Sequence, residues 1–240
     1  MKLKFSGIQI YDILQACLIL LLAGLLTGCA PRIPRPIAIE HLPAPADFPE
    51  SYYRQAELSG SKILRIDSKR SLVTILVRRG GALSHLGHDH VVASRDVTGY
   101  MDITDARADL YISLDKLSVD EPLLRTEAGF TTQPSNDAIE GTRRNMLYKV
   151  LEIDRYPFAL ISVIRTHDPS NLIVNIGLHG SKRNFIIPAQ IVTFAKGIEI
   201  KGELAFNQSD FGITPFSILG GALQVQDRVS LHFHIFSDGN

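Results

Sequence analysis

The chain has no tryptophan, only two cysteines and three methionines in 240 residues, and no excess of either charge: 25 Lys+Arg stand against 25 Asp+Glu. Each shortage narrows the reading. Without a surplus of cations, nucleic-acid binding and electrostatic attachment to anionic lipid are both disfavoured. The longest apolar run, Ile13 to Leu26 broken by Gln15, is shorter than the roughly 20 residues of a membrane span. Paired CxxC and HExxH zinc signatures are missing, as are the phosphate-cradling loop and the dinucleotide fingerprint. The GxSxG nucleophile elbow is missing too. The common metal, nucleotide and acyl-transfer enzymes therefore find no support.

The N-terminus carries Lys2 and Lys4 ahead of the apolar run, the pattern of a secretory signal peptide, with Asp12 an unusual intrusion. It closes on Leu26-Thr27-Gly28-Cys29, which resembles the bacterial lipobox. Residues 1–28 are expected to be a lipoprotein signal peptide, and Cys29 the lipidated mature N-terminus. Ala30 and Pro31 follow in place of a retention aspartate, which favours the outer membrane, facing the periplasm, if the cell is Gram-negative. Cys17 would leave with the signal, and the remaining sulfur would carry lipid. No disulfide is then available, and burial and hydrogen bonding must hold the fold. Six of the twelve prolines (31, 34, 36, 43, 45 and 49) fall in residues 30–50. Proline fixes φ and lacks the amide donor, so 29–60 reads as a stiff, extended linker, with an arm packed on the domain as the alternative.

From about residue 62 the texture becomes short alternating segments. Leu110, Ile112 and Leu114 share one face. So do Leu172, Val174, Ile176 and Leu178; Ile198, Ile200, Leu204 and Phe206; and Val229, Leu231, Phe233 and Ile235. Period two marks half-buried strands, and seven or eight of them separated by Gly, Pro and Asn turns predict an antiparallel sandwich or barrel. LVTILV (72–77) and FALISVI (158–164) are apolar on both faces. Such strands need outside cover, from residues 118–141 or from a second copy as a homodimer. A short helix is expected within 142–154, and 118–141 reads as a long loop or helical excursion.

Four stretches together resemble the YceI-like family: RNMLYKVLEIDRYPFALISV (144–163), VNIGLHGSKRNFIIPAQI (174–191), FNQSDFGITPF (206–216) and VSLHFHI (229–235). The third has Gln208 where the family's Arg-Ser-Asp-Phe-Gly signature has arginine. The resemblance implies an all-β fold over 61–240: an extended, lipocalin-like antiparallel β-barrel of about eight strands with one or two short helices. Its apolar pore would hold a polyisoprenoid, a quinone or a similar hydrophobic small molecule, without a resident cofactor and without catalysis. Periodicity alone does not tell a hollow barrel from one packed solid. The expected ligand contacts are Leu83, His85, His88, Asp89, Met146, Phe158, Leu178, Phe185 and Phe211.

SHLGHDHVV (84–92) concentrates three histidines and an aspartate. Three readings stand: a polar lid over a ligand head group near His85, His88 and Asp89, a structural polar cluster, or a metal or haem site built on His85, His88 and His90. Imidazoles at i and i+2 can share a metal. His232 and His234 repeat that spacing on the last strand and would join the cluster if the two strands were neighbours. Ser84, His88 and Asp89 lie too close in sequence for triad geometry. Asp210 reads as a turn aspartate rather than a base.

Overall fold

Alternating apolar residues leave a strand with one face to hide, and here eight positions in a ring hide them on a common axis. The structure, a computed structural model, describes residues 43–168 and 170–239. The signal peptide, Cys29 and the linker up to residue 42 lie outside the described residues. The ring runs β1 (Ile63–Ile66), β5 (Val97–Asp102), β6 (Arg107–Ser113), β8 (Phe158–Arg165), β9 (Asn171–Leu178), β10 (Ser181–Thr193), β11 (Gly197–Asn207) and β14 (Arg228–Asp238). Antiparallel pairs Arg65↔Asp238 and Ile66↔Ser237 close it. The result is a closed eight-strand antiparallel barrel with a few short helices, as expected.

Three strands hand over their places partway up. After the turn at 67–71, β2 (Leu72–Val77) replaces β1 beside β14, from Leu72↔His234 to Leu76↔Ser230. After Arg95-Asp96, β4 (His90–Ser94) replaces β5 and pairs with β2. After a turn at Leu114–Lys116, β7 (Ser118–Val119) replaces β6 through Val92↔Val119. β8 starts opposite Ser113, so among the described residues no strand pairs with the outer edge of β7. Helix α3 (Asn136–Asn145), capped by the Ser135 hydroxyl, and its wider π-helical continuation Met146–Val150 serve this upper wall instead. Arg143 donates from Nε to the Leu117 carbonyl (2.9 Å) and from Nη2 to that of Asp115 (2.5 Å), satisfying carbonyls that a strand would otherwise receive. The helix expected within 142–154 thus starts earlier, inside 118–141, where the helical excursion rather than the long loop is the reading that holds.

Of the two strands that are apolar on both faces, β2 is covered from outside and β8 only at its start, Ile164 near its end being 55% exposed. Helix α2 (Pro122–Glu127) and the residues after it press Leu124 and Phe130 onto Val91 and Ala93, with Leu72 and Leu76 alongside. That cover comes from the 118–141 segment. On β6 and β8, Phe158 turns outward and its ring packs edge-on against Tyr111, which in turn receives Phe48 at 4.9 Å. Phe48 belongs to the proline-rich arm, and helix α1 (Glu50–Leu58) follows it. The extended spacer expected for 29–60 therefore gives way, at its C-terminal end, to a helix docked on the barrel. Tyr53 makes the dock. It is 2% exposed, its ring stacks on Tyr100 at 5.1 Å, and its hydroxyl donates to Asp109 Oδ2 at 2.6 Å.

Burial, and then the bond to the Asp109 carboxylate, push the Tyr53 phenol far above the usual tyrosine range. A pKa raised on folding stabilises the native state below the unfolded value of about 10 and loses that contribution as pH rises beyond it. The docked arm should loosen at alkaline pH, read as a fall in Tm above about pH 10. Tyr53→Phe should flatten that fall at a cost of about 1 kcal/mol near neutrality. An unchanged alkaline slope in the variant would refute this origin.

Candidate functional site

Inside the barrel the alternation leaves two joined voids. The inner one, about 180 Å³, is walled by aliphatic and aromatic side chains with Ser94 among them. Ala108, Ala159, Ile161, Val163 and Val174 are inward residues of successive strands there. Gly202 belongs to this geometry: a Cβ there would lie 2.5 Å from the Phe233 ring, its register partner, so glycine lets that ring sit over β11. The outer void, about 230 Å³, carries polar groups from Arg79, His88, His90, Asn145, Gln208 and Gln224 besides its apolar wall. Ile75, Val92, Leu117, Leu151, Leu178 and Phe206 border both, so the two voids adjoin, a greasy interior behind a polar mouth, and together make up the channel of the barrel.

Over the mouth lies a small sheet: β12 (Ser217–Ile218), β13 (Leu223–Val225) and β3 (Arg79–Gly80). The turn Ser84–Leu86 joins it through the Leu83 amide, which donates to the Ala222 carbonyl at 2.7 Å. Gly81 permits this closeness, since a Cβ at its φ of +86° would sit 2.4 Å from that carbonyl oxygen.

The histidine stretch divides. His85 is exposed on the turn. Asp89 turns away from the channel, accepting from the Arg79 amide (2.9 Å) and from Arg78 Nη1 (3.3 Å). His88 and His90 face the mouth with ring centroids 6.4 Å apart. His88 Nδ1 is buried without a hydrogen-bond partner among the described residues. His90 is held from behind: its Nδ1 lies 2.6 Å from Asp120 Oδ2. Asp120 Oδ1 accepts from the Val91 amide (3.0 Å) and from Arg125 Nη1 (2.5 Å). Arg125, fully buried, also donates to the carbonyls of Asp89 and Thr132. Burial alone would raise the Asp120 pKa; the bonds from His90, the Val91 amide and Arg125 outweigh it and hold the carboxyl below its ordinary value. Asp120 takes φ of 58° to reach all three, a left-handed conformation that aspartate tolerates better than most residues.

Of the other expected contacts, Met146 and Leu178 line the channel. Phe185 and Phe211 form an aromatic knot with Phe206, at centroid distances of 6.3 Å and 5.3 Å from Phe211. They stand behind the channel wall rather than on it. Phe158 faces outward, because the inward residues of β8 are Ala159, Ile161 and Val163. Leu83 lies in the lid turn. The expected gathering of five imidazoles does not occur. β2 separates β14 from β4; His234 bonds Glu199 at 2.6 Å and His232 lies 3.6 Å from Glu203. Among the described residues no three His, Cys, Asp or Glu side chains gather as a metal site. Asp210 closes a capping box with Asn207, the turn role expected of it. Sequence reading missed Asp120, Arg125, Asn145 and Gln224, none of which sits in a periodic segment.

The class of protein is thus a closed eight-strand antiparallel barrel with an apolar interior and a polar mouth. The chain belongs to the YceI-like domain family, whose model matches residues 64–236. Among solved structures, a polyisoprenoid-binding domain from Saccharophagus degradans implicated in plant cell wall breakdown is similar at 15% identity, with a TM-score of 0.53, over 75% of this chain and 99% of that one. BcnA of Burkholderia cenocepacia aligns at 12% identity and TM-score 0.47, over 71% of this chain and 98% of that one. The Campylobacter jejuni YceI protein aligns at 13% and 0.42, over 60% and 82%. At 15% identity the likeness to the Saccharophagus degradans domain is one of fold alone. No curated protein matches.

Proposed function

We propose that this protein binds, without transforming it, a polyisoprenoid or another long amphiphile, with the tail in the inner channel and the head among the polar groups of the mouth. It would do so in the bacterial envelope, tethered through lipidated Cys29 to the outer membrane and facing the periplasm. One observation carries the reading: an inner void walled almost entirely by apolar side chains adjoins an outer one rimmed by His88, His90, Asn145 and Gln208. An oily chain gains about 0.8 kcal/mol for each methylene moved out of water. A ten-carbon tail thus gains roughly 8 kcal/mol before the costs of association, so few specific contacts are needed. The Saccharophagus degradans neighbour, named for polyisoprenoid binding, supports the same ligand class. Storage, delivery and sensing would all use this arrangement.

Protein purified without denaturation and extracted with organic solvent should release a hydrophobe in near-stoichiometric amount by mass spectrometry. A barrel that yields none, and takes up no polyprenol when one is supplied, would sink the proposal.

A further inference from the structure

The barrel has two unlike ends, and the tether joins it at the one with the mouth. Pro43–Asp47 lie in a groove with Tyr156–Phe158 and with the β9–β10 turn, residues 177–182. Leu178, in that groove, also lines the mouth. From there α1 descends the outer wall, and the chain reaches the opposite end, where the Lys62 amide donates to Thr104 Oγ1 in the β5–β6 turn (3.2 Å). Residues 30–42 separate Cys29 from Pro43, and a segment of that length reaches at most about 50 Å.

The same end is edged with uncovered apolar side chains. Leu86 is 62% exposed, Tyr148 54%, Ile218 44% and Leu219 69%. They come from three segments that flank the channel opening: the turn carrying His88, the π-helical stretch between Met146 and Val150, and the β12 hairpin. The lid contacts described above hold the first and third together. At the far end Leu58, Ile103, Ile164, Val192 and Phe194 are exposed as well, but they are spread over the end of α1, the β5–β6 turn, the end of β8 and the β10–β11 hairpin. Apolar side chains ringing a ligand mouth mark an interaction surface, and a short tether leaving the same end selects its occupant.

We propose that this rim docks on a lipid bilayer, so that the channel opens directly onto the membrane that holds the anchor. The inference rests on the proposed anchoring at Cys29. The attraction is apolar, as the balanced charge requires, and the mouth then exchanges an amphiphile with the leaflet without exposing its tail to water.

The lack of tryptophan supplies the test. Leu86→Trp and Tyr148→Trp each place a single reporter on the rim, and Phe194→Trp places one at the far end. The full chain carrying each change is mixed with phosphatidylcholine vesicles whose acyl chains are brominated. Both rim reporters should be quenched at least about twofold more than the far-end reporter, and high salt should not abolish the difference. Equal quenching at both ends, or none at either, overturns the proposal. So does a blue shift of the rim reporters without vesicles at doubled molecular mass, which would assign the rim to a second copy. Solvent extraction reads tail binding separately, so either idea can fail while the other stands.

Discussion

Arg125→Ala should destabilise the fold by about 3–5 kcal/mol, because it strands the buried Asp120 carboxylate beside the mouth. Asp120 has two other donors, the Val91 amide and His90, yet the fully buried guanidinium is the permanent charge facing it. Asp120→Asn should cost less, since an amide oxygen still accepts from Val91. The two changes together should cost clearly less than their sum, with a coupling of about 1 kcal/mol or more in a urea-denaturation cycle. The pair also has an acid signature. A carboxyl whose pKa is lowered on folding stabilises the native state above its unfolded value, near 3.9, and loses that contribution as pH falls below it. Wild-type stability should drop there, and the Asp120→Asn variant should drop less. A loss under about 1 kcal/mol for Arg125→Ala would mean that water relieves the stranded charge.

Ala159→Phe should shorten the channel without unfolding the barrel. Ala159 points into the inner void from β8, and a phenyl ring there fills much of the about 180 Å³ available. Because the ring enters a cavity rather than close-packed side chains, overpacking strain should stay within about 1–3 kcal/mol. Displacing even two methylenes of a bound tail costs about 1.6 kcal/mol, or more than tenfold in affinity. The variant should therefore bind a long polyprenol at least tenfold more weakly and a short-tailed homologue nearly as well as wild type. Equal weakening for both tails would place the tail elsewhere. A fluorescent polyprenol titration measures the difference.

The strands were legible because their period is rigid. Leu172, Val174, Ile176 and Leu178 alternate cleanly and all four line the channel. Phe158 shows how narrow that rule is: a shift of one residue along β8 exchanges the inner and outer faces, and the small Ala159 beside it is the residue that points inward. The strands with two apolar faces signalled outer cover, and α2 supplies it over β2 and β4. At the site, Met146 and Leu178 could be picked from their apolar character and their place in the matched segments, and His88 from the histidine cluster at 84–92. Asp120 and Arg125 could not. Asp120 meets His90 across 30 positions of sequence and Arg125 meets the Asp89 carbonyl across 36, from a stretch whose apolar residues follow neither strand nor helix period. What makes them partners is the replacement of β6 by β7 partway up the wall, a three-dimensional event with no local signature.

That replacement also divides responsibility within the molecule. Below it, the bore is set by strands locked to neighbours on both sides, where a change of register would scramble every inward residue. Above it, one stave of the cask is a helix and its widened last turn, fastened to the β7 edge chiefly by Arg143. Insertions or substitutions between residues 136 and 150, Arg143 apart, can therefore reshape the opening, and so the choice of cargo, while the ladder beneath keeps its alignment.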